Sequence, residues 1–339
     1  ALLVSGSVGI IMAYNELAYW GLATQTILFN LTVSVLSWIV SGWRPSLTVT
    51  FQPIREMFGF SSKMLITNIF NQVNNNIFAL VIGKLYTKSE VGLYSQANKW
   101  NTMGASTIIG MVQGVAQPTF VQVGDDKDRL CHSFSKMLRF TCFVSFPVMF
   151  GLSLIAPEFI VILITEKWLP SALLMRILCI GGAFLPISTL YFNMLIARGK
   201  SNIYMWNIIC QGLVMLASII AIHYLAGNVR DMVIVYACIL ALWVLVWQYF
   251  VWREIGFRLL QAFKDILPFG FLAAATMITT YFLTDSIQNI YWLLISRISS
   301  IQRILNSLSK LSFGNRTVCN RCSNLMISID CQNDWITRL

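Results

Sequence analysis

Apolar runs of near-membrane length constrain this chain more than any other feature. A helix needs about 20 consecutive apolar residues to cross a bilayer. Nine such spans are expected, over 1–14 (incomplete), 18–42, 61–84, 91–120, 137–165, 171–197, 202–225, 231–252 and 265–284. A tenth starts at "NIYWLLIS" (289–296) and stops short. Hydrocarbon offers no partner for backbone N–H and C=O groups, so runs of this length must be helices, which pair those groups internally. The rest of the composition agrees. Of 339 residues, 57% are hydrophobic and only 11% are charged, too few to coat a soluble core. The expected fold class is all-α, a polytopic helical membrane protein.

The net charge of +10 has two candidate explanations: a nucleic-acid surface or the placement of loops across a membrane. No Lys/Arg block of the nucleic-acid kind occurs, so nucleic acid is not an expected partner. The segments 43–63, 123–139, 198–201 and 253–264 hold Arg44, Arg55, Lys63, Lys127, Arg129, Lys136, Arg139, Arg198, Lys200, Arg253, Arg258 and Lys264. The alternate connections hold only Lys84, Lys88, Lys167, Arg176 and Arg230. This alternation is what the positive-inside rule produces, and it makes the first set cytoplasmic.

The polar connection "GWRPSLTVTFQPIREMFGF" (42–60) mixes proline with an amphipathic run, as a segment lying on the membrane surface does. It divides the chain into the last two helices of one bundle (1–42), a cytoplasmic linker (43–60) and a second bundle (61–297). Residues 298–339 form an atypical polar tail. Because Ala1 falls inside an apolar helix and the tail changes character after about Ser300, the expectation is a truncated front and, at the back, a reading-frame change or an unrelated soluble segment. Pro118, Pro147, Pro157, Pro170, Pro186 and Pro268 lie in or beside spans, where they kink helices if neighbours satisfy the freed carbonyls.

Two spans carry amides that hydrocarbon should exclude. In "NIFNQVNNNIFALVIG" (Asn68–Gly83), Asn68, Asn71, Gln72 and Asn75 fall within a 100° arc, with Asn74 and Asn76 beside it and Ile66, Ile69, Phe70, Val73, Ile77 and Leu80 opposite. In the next span Gly92, Ser95, Lys99, Thr102, Ser106, Gly110, Gln113 and Gln117 form a stripe about 80° wide. Taken singly, each of these amides is as well explained by packing between membrane helices, and Lys99 by snorkelling to the outer interface. Two successive helices with continuous polar stripes and an embedded cation favour a solvated cavity. The candidate substrate-binding residues are therefore Lys99, Asn68, Asn71, Gln72, Asn75, Ser95, Thr102, Gln113 and Gln117.

The sequence argues against an enzyme and offers no cofactor site. Glu16, Glu90, Glu158, Glu166 and Asp231 read as outer-end or outer-loop residues, leaving no carboxylate in the middle of a span. His132 and His223 have no nucleophile–base or metal arrangement around them. Cys142, Cys179, Cys210 and Cys238 read as small buried hydrophobes, and "CNRC" (319–322) is half a zinc motif without a second half.

Three motifs in order, "VGLYSQANKW" (Val91–Trp100), "ITEKWLPSALLMRIL" (Ile164–Leu178) and "NMLIARGKSN" (Asn193–Asn202), resemble the polysaccharide (O-antigen and capsule) flippases of the multidrug/oligosaccharidyl-lipid/polysaccharide exporter superfamily. The resemblance covers about 1–297. It implies a two-bundle transporter fold working by alternating access, with the first bundle mostly missing from this sequence. It also implies a substrate, an oligosaccharide on undecaprenyl diphosphate, moved across the bacterial inner membrane for surface polysaccharide biosynthesis. Lipid-linked oligosaccharide, membrane lipids and a polysaccharide polymerase of the same pathway are the partners it suggests. Two readings compete. A multidrug or small-cation exporter of the same superfamily would want an intramembrane carboxylate. A membrane glycosyltransferase or polymerase would want a sizeable outer loop.

Overall fold

The computed structural model describes residues 2–14, 18–41, 51–124, 126–225 and 227–284, with 293, 294, 296, 297 and 299 beyond them. The polar tail expected over 298–339 lies outside the described residues apart from Ser299. Every regular element among them is helical, so the all-α expectation holds.

The chain forms two units, 1–58 and 59–339. In the first, α1 (Leu2–Tyr14) packs on α2 (Ala18–Val40). Gly9 lets the Gln25 side chain lie against α1, where a Cβ would sit 3.1 Å from Oε1. Helix α3 (Phe51–Leu85) begins within the stretch read as linker and includes the 61–84 span.

In the second unit α4 (Lys88–Val123) is central. Tyr94, Ala97, Asn101, Ala105, Ile108, Val112, Ala116 and Phe120, spaced by three or four residues, are buried. This stripe packs on α5 (Lys127–Leu154), α7 (Pro170–Gly182) and α8 (Phe184–Ala197). Sequence signals fix the ends of α4. Thr87 and Glu90 form a reciprocal capping box at its start. Gly124 ends it at φ 69°, a left-handed value that suits glycine. Asp126 then caps α5 by accepting from the Asp128 and Arg129 amides.

Two expected spans are divided. The 137–165 span is α5, beginning ten residues earlier at Lys127, followed after Ile155 by the short α6 (Ala156–Leu163), which has proline in its first turn. The 171–197 span is α7 and α8, broken at Ala183, whose carbonyl accepts from the buried Ser145 hydroxyl at 2.6 Å. Pro186 cannot donate back to Gly182, so the helix is weakest at this break.

The remaining helices are α9 (Ser201–Leu225), α10 (Val229–Ile255) and α11 (Leu259–Thr284). Asn71 meets Tyr204, Asn74 meets Ile208 and Tyr86 meets His223, so α3 and α9 run parallel. Lys200 pairs with Glu254 at 3.5 Å, which puts the α8–α9 turn beside the end of α10. Both belong to the cation-rich, cytoplasmic set of connections, as the alternation of charge requires.

Among the described residues, six helical segments are long and apolar enough to cross a membrane; they lie within α2, α5, the α7–α8 pair, α9, α10 and α11. Helices α3 and α4 are the longest among the described residues, at 35 and 36 residues, yet neither is among the six. Their polar faces make the difference. Two of the four cysteines read as buried, Cys142 and Cys179, are so; Cys210 and Cys238 are exposed on helix surfaces. Periodicity alone did not separate core from perimeter in helices that are apolar on most sides.

Helices α7 and α10 meet backbone to backbone. A Cβ on Gly181 would lie 2.7 Å from the Ala237 Cα, so the two backbones touch. Close approach of small residues is a main source of helix association in lipid. Gly181→Val should therefore separate α7 from α10 and destabilise the fold by about 1–3 kcal/mol, the usual cost of overpacking. The purified protein in detergent should show a lower melting temperature. Gly110→Val, at a glycine with nothing within 4 Å, should leave that temperature nearly unchanged.

Candidate functional site

The exposed side of α4 is opposite its packed stripe. Ser95, Lys99, Thr102, Ser106, Gly110, Gln113 and Gln117 are all exposed, forming one continuous face from the outer third of the helix to its cytoplasmic end. Geometry explains the separation: buried and exposed sets have the same helical repeat but are offset around the axis. Lys99 stands eleven residues into α4, roughly 16 Å at 1.5 Å per residue. Its ammonium lies 6.0 Å from the Trp100 ring centroid, a cation–π contact at the limit of useful range. No salt bridge engages it among the described residues.

Near the cytoplasmic end, Gln113, Gly114, Gln117, Pro118, Val121 and Gln122 line an open groove of about 500 Å³. Pro118 lies inside α4 and has no N–H, so the Gly114 carbonyl loses its helical partner. Gly114 has no side chain to cover it. The groove therefore offers a backbone acceptor and three carboxamides, each both donor and acceptor. It carries no charged side chain.

On α3 the structure divides the amides between two jobs. Asn68, Gln72 and Asn75 are exposed. Asn71 is half-buried and donates to the Tyr204 hydroxyl at 3.1 Å. Asn74 donates to the Ile208 carbonyl at 3.0 Å and fills the space that a Cβ on Gly212 would occupy. Thr67, Phe78 and Ile82 continue this packed side. Thus Asn71 and Asn74 join α3 to α9, while the other three remain available to a ligand or to water. Helices α3 and α4 meet near their outer ends, where the Phe78 and Tyr94 rings lie 4.5 Å apart. Just outside α3, partial burial and, second, the carboxylate of Glu90 raise the Tyr86 phenol above its ordinary pKa, so it stays neutral beside His223.

The sequence reading missed polar residues inside the bundle. Gln248 is buried and fully used: Tyr191 donates to its Oε1 at 2.8 Å, and its Nε2 donates to the Phe257 carbonyl at 2.7 Å. The Asn207 Oδ1 accepts from the Trp243 indole. Mid-helix amides were the available signal, but only the packing shows which have partners. Two carboxylates are also buried in the bundle. Asp265, the seventh residue of α11, is buried and pairs with Arg139 at 2.6 Å. Glu158, read as an outer-end residue, is buried in α6 and pairs with Arg297 at 2.8 Å. Each is neutralised by an arginine. No cluster of three metal-ligating side chains occurs among the described residues.

A family model described as polysaccharide biosynthesis protein matches residues 1–173, just over half of the chain and the whole of α3 and α4. The chain belongs to this family. Among its curated relatives is the teichuronic acid biosynthesis protein TuaB of Bacillus subtilis, 24% identical over 279 residues, covering 80% of this chain and 56% of TuaB. The lipopolysaccharide biosynthesis protein WzxC of Escherichia coli is 23% identical over 191 residues, covering 55% of this chain and 39% of WzxC. The succinoglycan biosynthesis transport protein ExoT of Rhizobium meliloti is 25% identical over 209 residues, covering 60% and 42% respectively. The chain thus spans about half the length of these curated polysaccharide biosynthesis relatives or less. Among solved structures, the lipid II flippase MurJ in an inward closed conformation superposes with a TM-score of 0.66 at 16% identity, covering 92% of this chain and 66% of that one. That likeness shows the fold, a multi-pass helical membrane architecture.

The division of the α3 amides is open to a direct test. Asn74→Ala should leave the Ile208 carbonyl without its partner and open a gap beside Gly212, costing about 1–3 kcal/mol. Asn68→Ala and Asn75→Ala, at exposed positions, should stay within about 0.5 kcal/mol of wild type. Unfolding midpoints of the three purified variants check this.

Proposed function

We propose that the protein is a flippase that moves an undecaprenyl-diphosphate-linked oligosaccharide from the cytoplasmic to the outer leaflet of the bacterial inner membrane. It does so by alternating access between two helical bundles, in the service of surface polysaccharide biosynthesis. The observation that carries this reading is the exposed stripe of α4: polar from Ser95 to Gln117, uncharged except for Lys99, on a helix whose opposite side packs. Such a face is costly against lipid and suited to a glycan, whose hydroxyls both donate and accept. Asn68, Gln72 and Asn75 extend that chemistry to α3, and the isoprenoid stays in lipid. The relatives whose names speak of teichuronic acid, lipopolysaccharide and succinoglycan support the same substrate class. A polysaccharide polymerase of the same pathway receives the product on the outer side.

Lys99 attracts the substrate's diphosphate in this reading. A lysine serves phosphate as a point charge without strict geometry, which suits a ligand that must leave again. Full-length protein reconstituted into vesicles should move fluorescent lipid-linked oligosaccharide between leaflets; a rate equal to that of empty vesicles would sink the proposal. Lys99→Arg should keep part of the activity. Lys99→Gln should lower export at least about tenfold, since one hydrogen bond to a charged group contributes about 1.5–3 kcal/mol. Normal export by Lys99→Gln at equal membrane abundance would make Lys99 a snorkelling residue. Sodium- or proton-dependent transport of a soluble dye, without lipid transport, would favour the exporter reading instead.

A further inference from the structure

The ion pair between α5 and α11 is built unlike an ordinary topological charge. Asp265 has a side chain only 4% exposed, and that of Arg139 is 60% exposed. The carboxylate is fully used by two donors on one face of α5: the Arg139 Nε at 2.6 Å and the Ser135 hydroxyl at 2.5 Å. A buried carboxylate costs several kcal/mol unless compensated, so this pairing holds the guanidinium in one orientation. Because Asp265 takes Nε, the two terminal nitrogens of Arg139 remain, and no other partner of Arg139 occurs among the described residues. They form a fixed fork on the surface of the seam.

Two further features surround that fork. Lys136 is one turn before Arg139, where side chains are neighbours, and Lys264 precedes Asp265; both are exposed. Asp265 is offset by Arg139, and among the described residues no salt bridge engages either lysine, so both add positive charge at the cytoplasmic end of the seam. Further along the same helix faces, toward the membrane centre, the surface turns apolar. Phe140 follows Lys136 by four residues and is 53% exposed, while Leu267 and Phe271 follow Lys264 by three and seven and are 57% and 77% exposed. Cations over an apolar belt match a lipid's anionic headgroup over its acyl chains.

We infer that the cytoplasmic end of the α5–α11 seam binds the phosphate of an anionic membrane phospholipid, with Arg139 as its bidentate ligand, Lys136 and Lys264 as supporting charges and Asp265 as the positioning residue. A planar fork suits phosphate oxygens better than an ammonium does. The site lies on other helices than the α3–α4 faces and does not depend on the transport reading. Its ligand chemistry, a phosphate oxyanion, could come from a lipid or from free phosphate, and the apolar belt favours the lipid.

Native mass spectrometry of the detergent-purified full chain, titrated with phosphatidylglycerol, with phosphatidylcholine and with inorganic phosphate as competitor, separates these. Wild type should retain phosphatidylglycerol over phosphatidylcholine, and millimolar inorganic phosphate should not displace it. Lys136→Gln/Lys264→Gln, which leaves the Arg139–Asp265 pair intact, should weaken retention about fivefold for each charge removed. Arg139→Lys keeps a cation against Asp265 but loses the fork, and should weaken retention at an unchanged unfolding midpoint. Equal retention of both lipids by wild type, or wild-type retention by the lysine double variant, overturns the inference. Displacement by inorganic phosphate also overturns it and makes the site a free-anion site. If Arg139→Lys fails to fold, the double variant alone decides.

Discussion

Hydrocarbon supplies no hydrogen bonds, and the rest of this structure depends on that. Backbone groups are satisfied by winding into helices, which accounts for an all-helical chain. Side-chain amides, hydroxyls and charges then have three options: a partner on another helix, a carbonyl of their own helix, or a face that something polar reaches. All three occur. Asn71, Asn74, Gln248 and Ser145 take the first. Thr67, Thr141 and Thr189 bond to the carbonyl four residues earlier and take the second. The outward faces of α3 and α4 take the third.

The third option gives the fold its functional direction. A helix that packed on one side and met lipid on the other would not carry Ser95, Lys99, Thr102, Gln113 and Gln117 along its outward face. Elsewhere in the bundle α9, α10 and α11 expose Trp206, Leu242 and Phe271. Long continuous faces of amides and hydroxyls mark α3 and α4, the two long helices whose composition keeps them out of the membrane-crossing set. Along α4 the chemistry also grades, from a cation in the outer third to an uncharged groove at the proline kink. The lipid-linked glycan that we propose as substrate, with an anionic group and a neutral sugar chain, would meet both on one helix.

Charge follows the same constraint at the perimeter. The cation-rich connections set the orientation of the bundle, but not all of their members are loop charges. Arg139 and Lys200 are drawn into pairs with Asp265 and Glu254 on other helices. At the opposite end, Arg297 donates to Glu158, to the Leu154 carbonyl and to the Thr284 hydroxyl. That arginine ties the segment beyond α11 to the end of α5 and to α6.

By itself the sequence determined the helical class, the approximate spans, the alternating orientation and the two polar stripes. All of these follow from local periodicity and from counting charges, which need no knowledge of neighbours. The three quoted motifs also pointed to the family. Only the tertiary structure decided which amides lie where. Asn68 and Asn71 are both on the predicted stripe, but Tyr204, 133 residues from Asn71, claims only Asn71. Likewise Asp265 looked like a residue at the edge of a span because its partners, Ser135 and Arg139, are 130 and 126 residues away. The break at Ala183, the touching backbones at Gly181 and the burial of Glu158 were hidden for the same reason. A helix's period says which residues share a face; what that face meets is set by helices distant in the chain.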